Sequence, residues 1–165
     1  SGMFGHAWHA SYGAAKAGIM GLMNVVALEG VPHGILANAI MPNAVTRISE
    51  SVSRGFMDNK PFAETMTRVN FAPLLPSVKA EWTAPLAVYL ASKACQSTHN
   101  LYSQAGNRYA RVFIGVTEGW RSPGDQPPSP EALGAHWSEI EDRATYYLPL
   151  TNYDELAFVS PLKGD

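Results

Sequence analysis

The chain has 165 residues, is 46% hydrophobic and carries a formal net charge of −2, a balance that suits one globular core. Neither nucleic acid nor an anionic membrane is expected as a partner for so even a charge. The single cysteine, Cys95, excludes an internal disulfide and fits a reducing compartment, here expected to be the cytoplasm. Nothing in the neighbouring sequence would activate Cys95, so it reads as a small core residue at a helix end.

Residues 1–9 read as a loop, with Gly2, Gly5, His6 and His9 and no sustained period. They have neither the basic region nor the apolar stretch of a signal peptide. A helix follows over 10–30. Ala10, Ala14, Ala17, Gly18 and Gly21 form a flat stripe for close approach, and Ile19, Leu22, Val25, Val26 and Leu28 supply bulk. Gly30 stops it, with Pro32 just beyond. Gly18, Gly21, Asn24 and Glu29 interrupt the apolar run, so no membrane span is expected.

Near the start of that helix lie Tyr12 and Lys16, four positions apart, which puts them on one face about 6 Å apart along the axis. A free phenol is a poor base at neutral pH. A neighbouring ammonium favours the phenolate and brings proton transfer into the working range. By itself a Tyr–Lys pair at this spacing is equally an ordinary half-buried Tyr beside a solvated Lys. Residues 35–41 are a short apolar run that fits a parallel strand buried on both faces. Asn38 within it needs hydrogen-bond partners and reads as structural, and Pro42 closes the strand.

Together these two stretches resemble one family. Tyr12-Gly13-Ala14-Ala15-Lys16-Ala17-Gly18-Ile19-Met20-Gly21-Leu22 is similar to the active-site helix of short-chain dehydrogenases/reductases. Gly34-Ile35-Leu36-Ala37-Asn38-Ala39-Ile40-Met41-Pro42 looks like the sixth strand of their sheet. The resemblance covers residues 1 to about 143 and implies an α/β, Rossmann-type doubly wound parallel sheet. Its usual Pro-Gly turn is replaced by Pro42-Asn43-Ala44-Val45-Thr46-Arg47, which resembles the (3R)-hydroxyacyl-CoA dehydrogenase branch. Asn tolerates the left-handed turn that Gly usually supplies. The resemblance implies an NAD(P)-dependent oxidoreductase, NAD being slightly favoured over NADP. Tyr12 and Lys16 become catalytic and cofactor-binding residues, and Pro42, Asn43, Val45 and Thr46 cofactor-binding ones. It also makes the helix a dimer seam, so a homo-oligomer is expected. Arg47 reads equally as a phosphate contact or a surface ion pair.

Residues 43–76 read as the substrate lid, with Phe62–Val69 as a short helix. Met57, Phe62, Met66 and Phe71 suit an apolar acyl or ring system in a small-molecule substrate, or simply cover the core. Residues 79–94 read as a helix with Pro85 in its first turn and Leu86, Val88, Tyr89 and Leu90 inward. Asn100–Ala105 resembles the seventh strand of the family. Arg108–Thr117 alternates like a strand. Ser129-Pro130 opens a helix bearing an inward Trp137 that runs to about Arg143, and 144–165 show no period. The organisation expected is the C-terminal half of a Rossmann domain over 1–106 and a strand-helix extension over 107–165.

The family's catalytic Ser lies about thirteen residues before the Tyr, just ahead of Ser1, so Ser1 is not given that role. The glycine-rich phosphate loop and the ribose-reading residue have no counterpart in this sequence. The missing N-terminal half of the same protein is therefore expected as a partner, since strand 35–41 would otherwise expose its edge. The rival expectation is a catalytically incomplete fragment that serves only in association or dimerisation. The histidines are not spaced as metal ligands, with each other or with Cys95, and no metal is expected.

Overall fold

A computed structural model describes residues 1–56, 58–66 and 70–160. It divides into two compact units, 1–112 and 113–165. The first opens with a turn in which the Gly5 amide donates to the Ser1 carbonyl. Helix α1, Ala10–Gly30, follows with the expected bounds. A short 3-10 turn, Val31–His33, continues it until Gly34 adopts a left-handed φ of 66° and ends the run.

Strand β1, Asn38–Asn43, starts later than expected and runs through Pro42 instead of closing there. β1 is an edge strand of its three-stranded sheet, the setting in which a sheet tolerates proline. Helices α2, Arg47–Phe56, and α3, Lys60–Met66, come next. The sequence reading anticipated part of α3 and missed α2. The cause is visible at the start of α2, where the Thr46 hydroxyl accepts from the Ser49 amide while Ser49 Oγ accepts from the Thr46 amide. This reciprocal cap organises a segment too polar to show an apolar period.

Helix α4 is shorter than the expected 79–94. It spans Ala84–Leu90 behind a 3-10 turn at Ala80–Trp82, and Pro85 sits in its first turn. Leu86 and Leu90 are half-buried, whereas Val88 and Tyr89 are exposed, against expectation. Strand β2, Asn100–Ala105, matches its expected bounds and runs parallel to β1 in the register Asn38↔Asn100 to Asn43↔Ala105. The expected strand over 108–117 is two strands. β3, Arg108–Val112, pairs antiparallel with β2 and belongs to the first unit. Asn38 has the partners its position demands: Nδ2 donates to the Ser97 carbonyl at 2.6 Å, and Oδ1 accepts from the Asn100 amide. Cys95 is a buried free thiol in the turns after α4.

Among the described residues the buried apolar core is Met23, Ala27, Val78, Cys95 and Leu101. The bulky α1 residues expected to fill it, Ile19, Leu22, Val25, Val26 and Leu28, are exposed, Leu22 at 63%. Gly18 and Gly21 face open space, so the close approach their stripe offers is not made to another element here. It is made instead at Ala17, where a Cβ on Gly2 would lie 2.7 Å from the backbone nitrogen.

The sequence reading also underrated α1 in another respect. Counted as Ala10–His33, it has 24 residues and contains an 18-residue stretch of mean hydropathy 1.3, long and apolar enough by length and composition to cross a membrane. Two glycines and two polar residues do not break its hydropathy.

In the second unit, β4, Val116–Thr117, pairs antiparallel with β5, Tyr146–Tyr147. The Ser129 hydroxyl accepts from the Ala132 amide and starts α5, Pro130–Ala135, as expected. The helical run then breaks at His136 before α6, Trp137–Ile140. Trp137 is half exposed rather than inward. The stretch read as aperiodic contains α7, Asn152–Val159. A capping box nucleates it, with Thr151 accepting from the Asp154 amide and the Asp154 carboxylate accepting from the Thr151 amide.

Candidate active site

Parallel pairing of β1 with β2 puts Ala39, Met41 and Asn43 on the same face of the sheet as Leu101, Ser103 and Ala105. A cleft of about 690 Å³ lies against that face, lined also by Ser1–Gly5 and by Tyr12, Lys16, Ile19 and Met20 of α1. α1 therefore covers one face of the sheet. The start of α4 lies on the other, where the Thr83 hydroxyl donates to the buried Gln104.

Tyr12 and Lys16 stand on the same side of α1, as their spacing requires. The Lys16 ammonium lies 5.3 Å from the centre of the Tyr12 ring. Tyr12 is 52% exposed, so its hydroxyl is within reach of a ligand. The His9 ring meets it edge to face at 6.0 Å. His9 Nδ1 in turn lies 3.0 Å from the Ala7 carbonyl. The loop that carries these histidines is held against α1 by Gly2, whose contact with Lys16 and Ala17 leaves no room for a side chain.

Pro42 and Asn43, at the C-terminal end of β1, line the same cleft. The structure thus brings together four of the six expected site residues: Tyr12, Lys16, Pro42 and Asn43. Val45 and Thr46 are not among the lining residues. The Val45 amide donates to the Val78 carbonyl at 2.8 Å, and the Thr46 hydroxyl caps α2. Of the expected lid residues, Phe71 is 38% exposed. Met57 and the side chains of Phe62 and Met66 lie outside the described residues.

Among the polar lining residues, two escaped the sequence reading. Ser103 is visible only through the sheet register, and Arg108 only because β3 folds back beside β2. Among the described residues no cluster of three or more His, Cys, Asp or Glu is placed to hold a metal.

The family model described as enoyl-(acyl carrier protein) reductase matches residues 2–106, the stretch that carries the whole cleft except Ser1 and Arg108. The chain belongs to the short-chain dehydrogenase/reductase family. Rv0148 of Mycobacterium tuberculosis, named for a short-chain type dehydrogenase/reductase, is 32% identical over 142 residues, 86% of this chain and 43% of its own length. Mouse peroxisomal multifunctional enzyme type 2 is 31% identical over 157 residues, 92% of this chain and 18% of that enzyme. That coverage extends the family likeness into the second unit. The structure of full-length peroxisomal multifunctional enzyme type 2 from Drosophila melanogaster superposes with a TM-score of 0.66 over 96% of this chain and 26% of that one, at 23% identity. The fold is therefore the mixed α/β, Rossmann-type one expected. The chain spans less than half the length of each of these relatives.

The residues present fit one end of a nicotinamide dinucleotide. A phenol, an ammonium and a strand-end turn converge on one cleft, and a nicotinamide riboside offers a ring amide and ribose hydroxyls to such groups. The pyrophosphate end has no glycine-rich loop in this chain to hold it.

Proposed function

We propose that this chain forms the catalytic half of an NAD(P)-dependent oxidoreductase that interconverts a secondary alcohol and a ketone. The observation that carries the reading is the shared cleft of Tyr12, Lys16 and Asn43. In the oxidising direction Tyr12 Oη takes the proton of the substrate hydroxyl, and in the reducing direction it returns one to the carbonyl oxygen. The Lys16 ammonium stands beside the Tyr12 ring through that exchange and presents N–H donors to ribose hydroxyls. Pro42 and Asn43 hold the nicotinamide end. A bound nicotinamide supplies the hydride donor or acceptor. NAD is favoured slightly over NADP.

The substrate class we favour is a 3-hydroxyacyl thioester or a steroid-like alcohol, and two features support it. The cleft carries apolar Phe4, Ile19 and Met20 beside its polar groups. Two relatives are named as peroxisomal multifunctional enzyme type 2 and as peroxisomal hydratase-dehydrogenase-epimerase. A polypeptide segment carrying the phosphate loop completes the site and covers the open edge of β1. The enzyme works as a homo-oligomer, and the buried reduced thiol of Cys95 accords with a cytoplasmic setting.

A second reading, association without catalysis, draws on the exposed apolar residues of α1. The test is a screen of the protein that contains this chain with NAD and NADP, against hydroxyacyl thioesters and hydroxysteroids, followed at the reduced-nicotinamide absorbance. Turnover of one class, lost in Lys16→Met, supports the oxidoreductase. No binding of either dinucleotide, with stable oligomers formed, supports the second reading and overturns the first.

A further inference from the structure

Gln104 is fully buried, at 0% exposure, on the sheet face opposite the cleft. Its side chain joins three parts of the first unit. Nε2 donates to the Gly106 carbonyl at 2.7 Å, Oε1 accepts from the Thr83 hydroxyl at 2.7 Å, and Oε1 also accepts from the Asn43 backbone amide at 3.4 Å. The orientation of the amide is fixed by partners that have no choice. A carbonyl only accepts and a backbone N–H only donates, so oxygen must face Asn43 and nitrogen must face Gly106.

Both outer partners sit where the backbone needs help. Asn43 follows Pro42, which has no amide for the ladder. Gly106 holds a φ of 60° in the β2–β3 turn, packed near Leu74 and Ser77. An apolar residue at 104 would leave the Asn43 amide and the Gly106 carbonyl without these bonds, at the end of β1 that lines the cleft.

We infer that Gln104 is a positioning residue for the Pro42–Asn43 turn: it fixes the nicotinamide-binding end of β1 from behind the sheet without touching the ligand itself. The inference rests on the dinucleotide reading given above. Contacts to the nicotinamide end are made in ground state and transition state alike, so loosening them weakens binding rather than the chemical step.

The experiment uses the protein that contains this chain and the variant Gln104→Met, which keeps the volume and removes the hydrogen bonds. The Asn43 amide is expected to exchange with solvent at least tenfold faster. The dinucleotide KM is expected to rise about tenfold, the effect of losing a buried hydrogen bond or two, with kcat within about twofold. Gln104→Glu is the second variant, for the case that Gln104→Met fails to fold. Ionised, its carboxylate accepts from Thr83 and Asn43 but has no proton for the Gly106 carbonyl. Protonated, it regains that donor. None of the three groups bonded to position 104 titrates, so in this variant alone the dinucleotide KM should fall toward the wild-type value as pH is lowered.

A wild-type dinucleotide KM in Gln104→Met, with only a lowered Tm, overturns the inference and leaves the dinucleotide reading standing. So does a dinucleotide KM in Gln104→Glu that stays raised above the wild-type value however far the pH is lowered. Failure of the wild-type protein to bind either dinucleotide brings down the reading itself and this inference with it. The Asn43 exchange rate needs no cofactor, so it still reports whether the bond behind the sheet exists.

Discussion

In residues 1–112 the sheet joins positions far apart in sequence: Asn38 lies opposite Asn100, and the Asn100 amide donates to the Asn38 side chain 62 positions away. Residues 113–160 rely more on neighbours. The Ser129 cap and the Thr151–Asp154 box act within three positions, and the stacked rings of Tyr147 and Phe158, with centres 4.1 Å apart, close over a short span. Every buried described residue lies in the first unit. That unit nevertheless exposes most of the bulk of its longest helix. The apolar faces of α1 are left without partners within the first unit, whereas the caps and stacked rings of the second are satisfied by residues close in sequence.

The sharpest way to break this contrast is at Gly2. A Cβ there meets the backbone of Lys16 and Ala17 at 2.7–2.9 Å, and such overpacking costs roughly 1–3 kcal/mol. Gly2→Ala should lower the denaturant midpoint and, by moving the loop that borders Tyr12, reduce turnover. An unchanged midpoint would mean that the N-terminal turn does not seat on α1.

Next in size is the capping box of the second unit. Thr151→Ala should cost α7 about 1 kcal/mol of helix stability, read by amide exchange over 152–159, with turnover unchanged. A loss of turnover would tie the second unit to the chemistry.

Gly21→Ala gives the smaller, more informative effect. Its Cβ would enter open space, and replacing a helical glycine with alanine stabilises by about 0.5–1 kcal/mol. This chain alone should become more stable, while an assembly that packs closely on α1 should weaken. Equal stabilisation of both would show that nothing approaches this stripe.

The smallest effect is one of pH. The Asp154 carboxylate accepts from the Thr151 and Leu150 amides, and those bonds hold its pKa below the ordinary aspartate range. A depressed carboxylate stabilises the folded form above the unfolded pKa and loses that support as pH falls through the folded one. α7 should therefore keep its cap at neutral pH and fray only in strong acid, below the ordinary carboxylate range. Fraying at pH 5–6 in a helix-specific probe would contradict the capping box.

Legibility followed the range of the forces involved. Local signals were readable: Gly30 ending α1, Ser129-Pro130 opening α5, and the one-turn spacing of Tyr12 and Lys16. Thr151-x-x-Asp154 carried the same kind of signal and was missed because the stretch around it shows no apolar period. Which face of a helix is buried was not readable, because burial depends on what packs there. Ile19, Leu22 and Tyr89 look like core by pattern and are exposed. The site divides in the same way. Tyr12, Lys16, Pro42 and Asn43 follow from motif and spacing, while Ser103 and Arg108 enter the cleft only through strand register. Gln104 looks in sequence like one polar residue in a strand, and its role appears only when Asn43, Thr83 and Gly106 are brought around it.

The central claim is that the Tyr12 phenol, with the Lys16 ammonium beside it, moves the proton while hydride is transferred. Single-turnover hydride transfer in the dinucleotide-bound protein, wild type against Tyr12→Phe, tests it most directly. The account predicts a fall of about 10²–10⁴-fold, the usual contribution of a general acid or base, with dinucleotide binding retained. Transfer at the wild-type rate in Tyr12→Phe would contradict it.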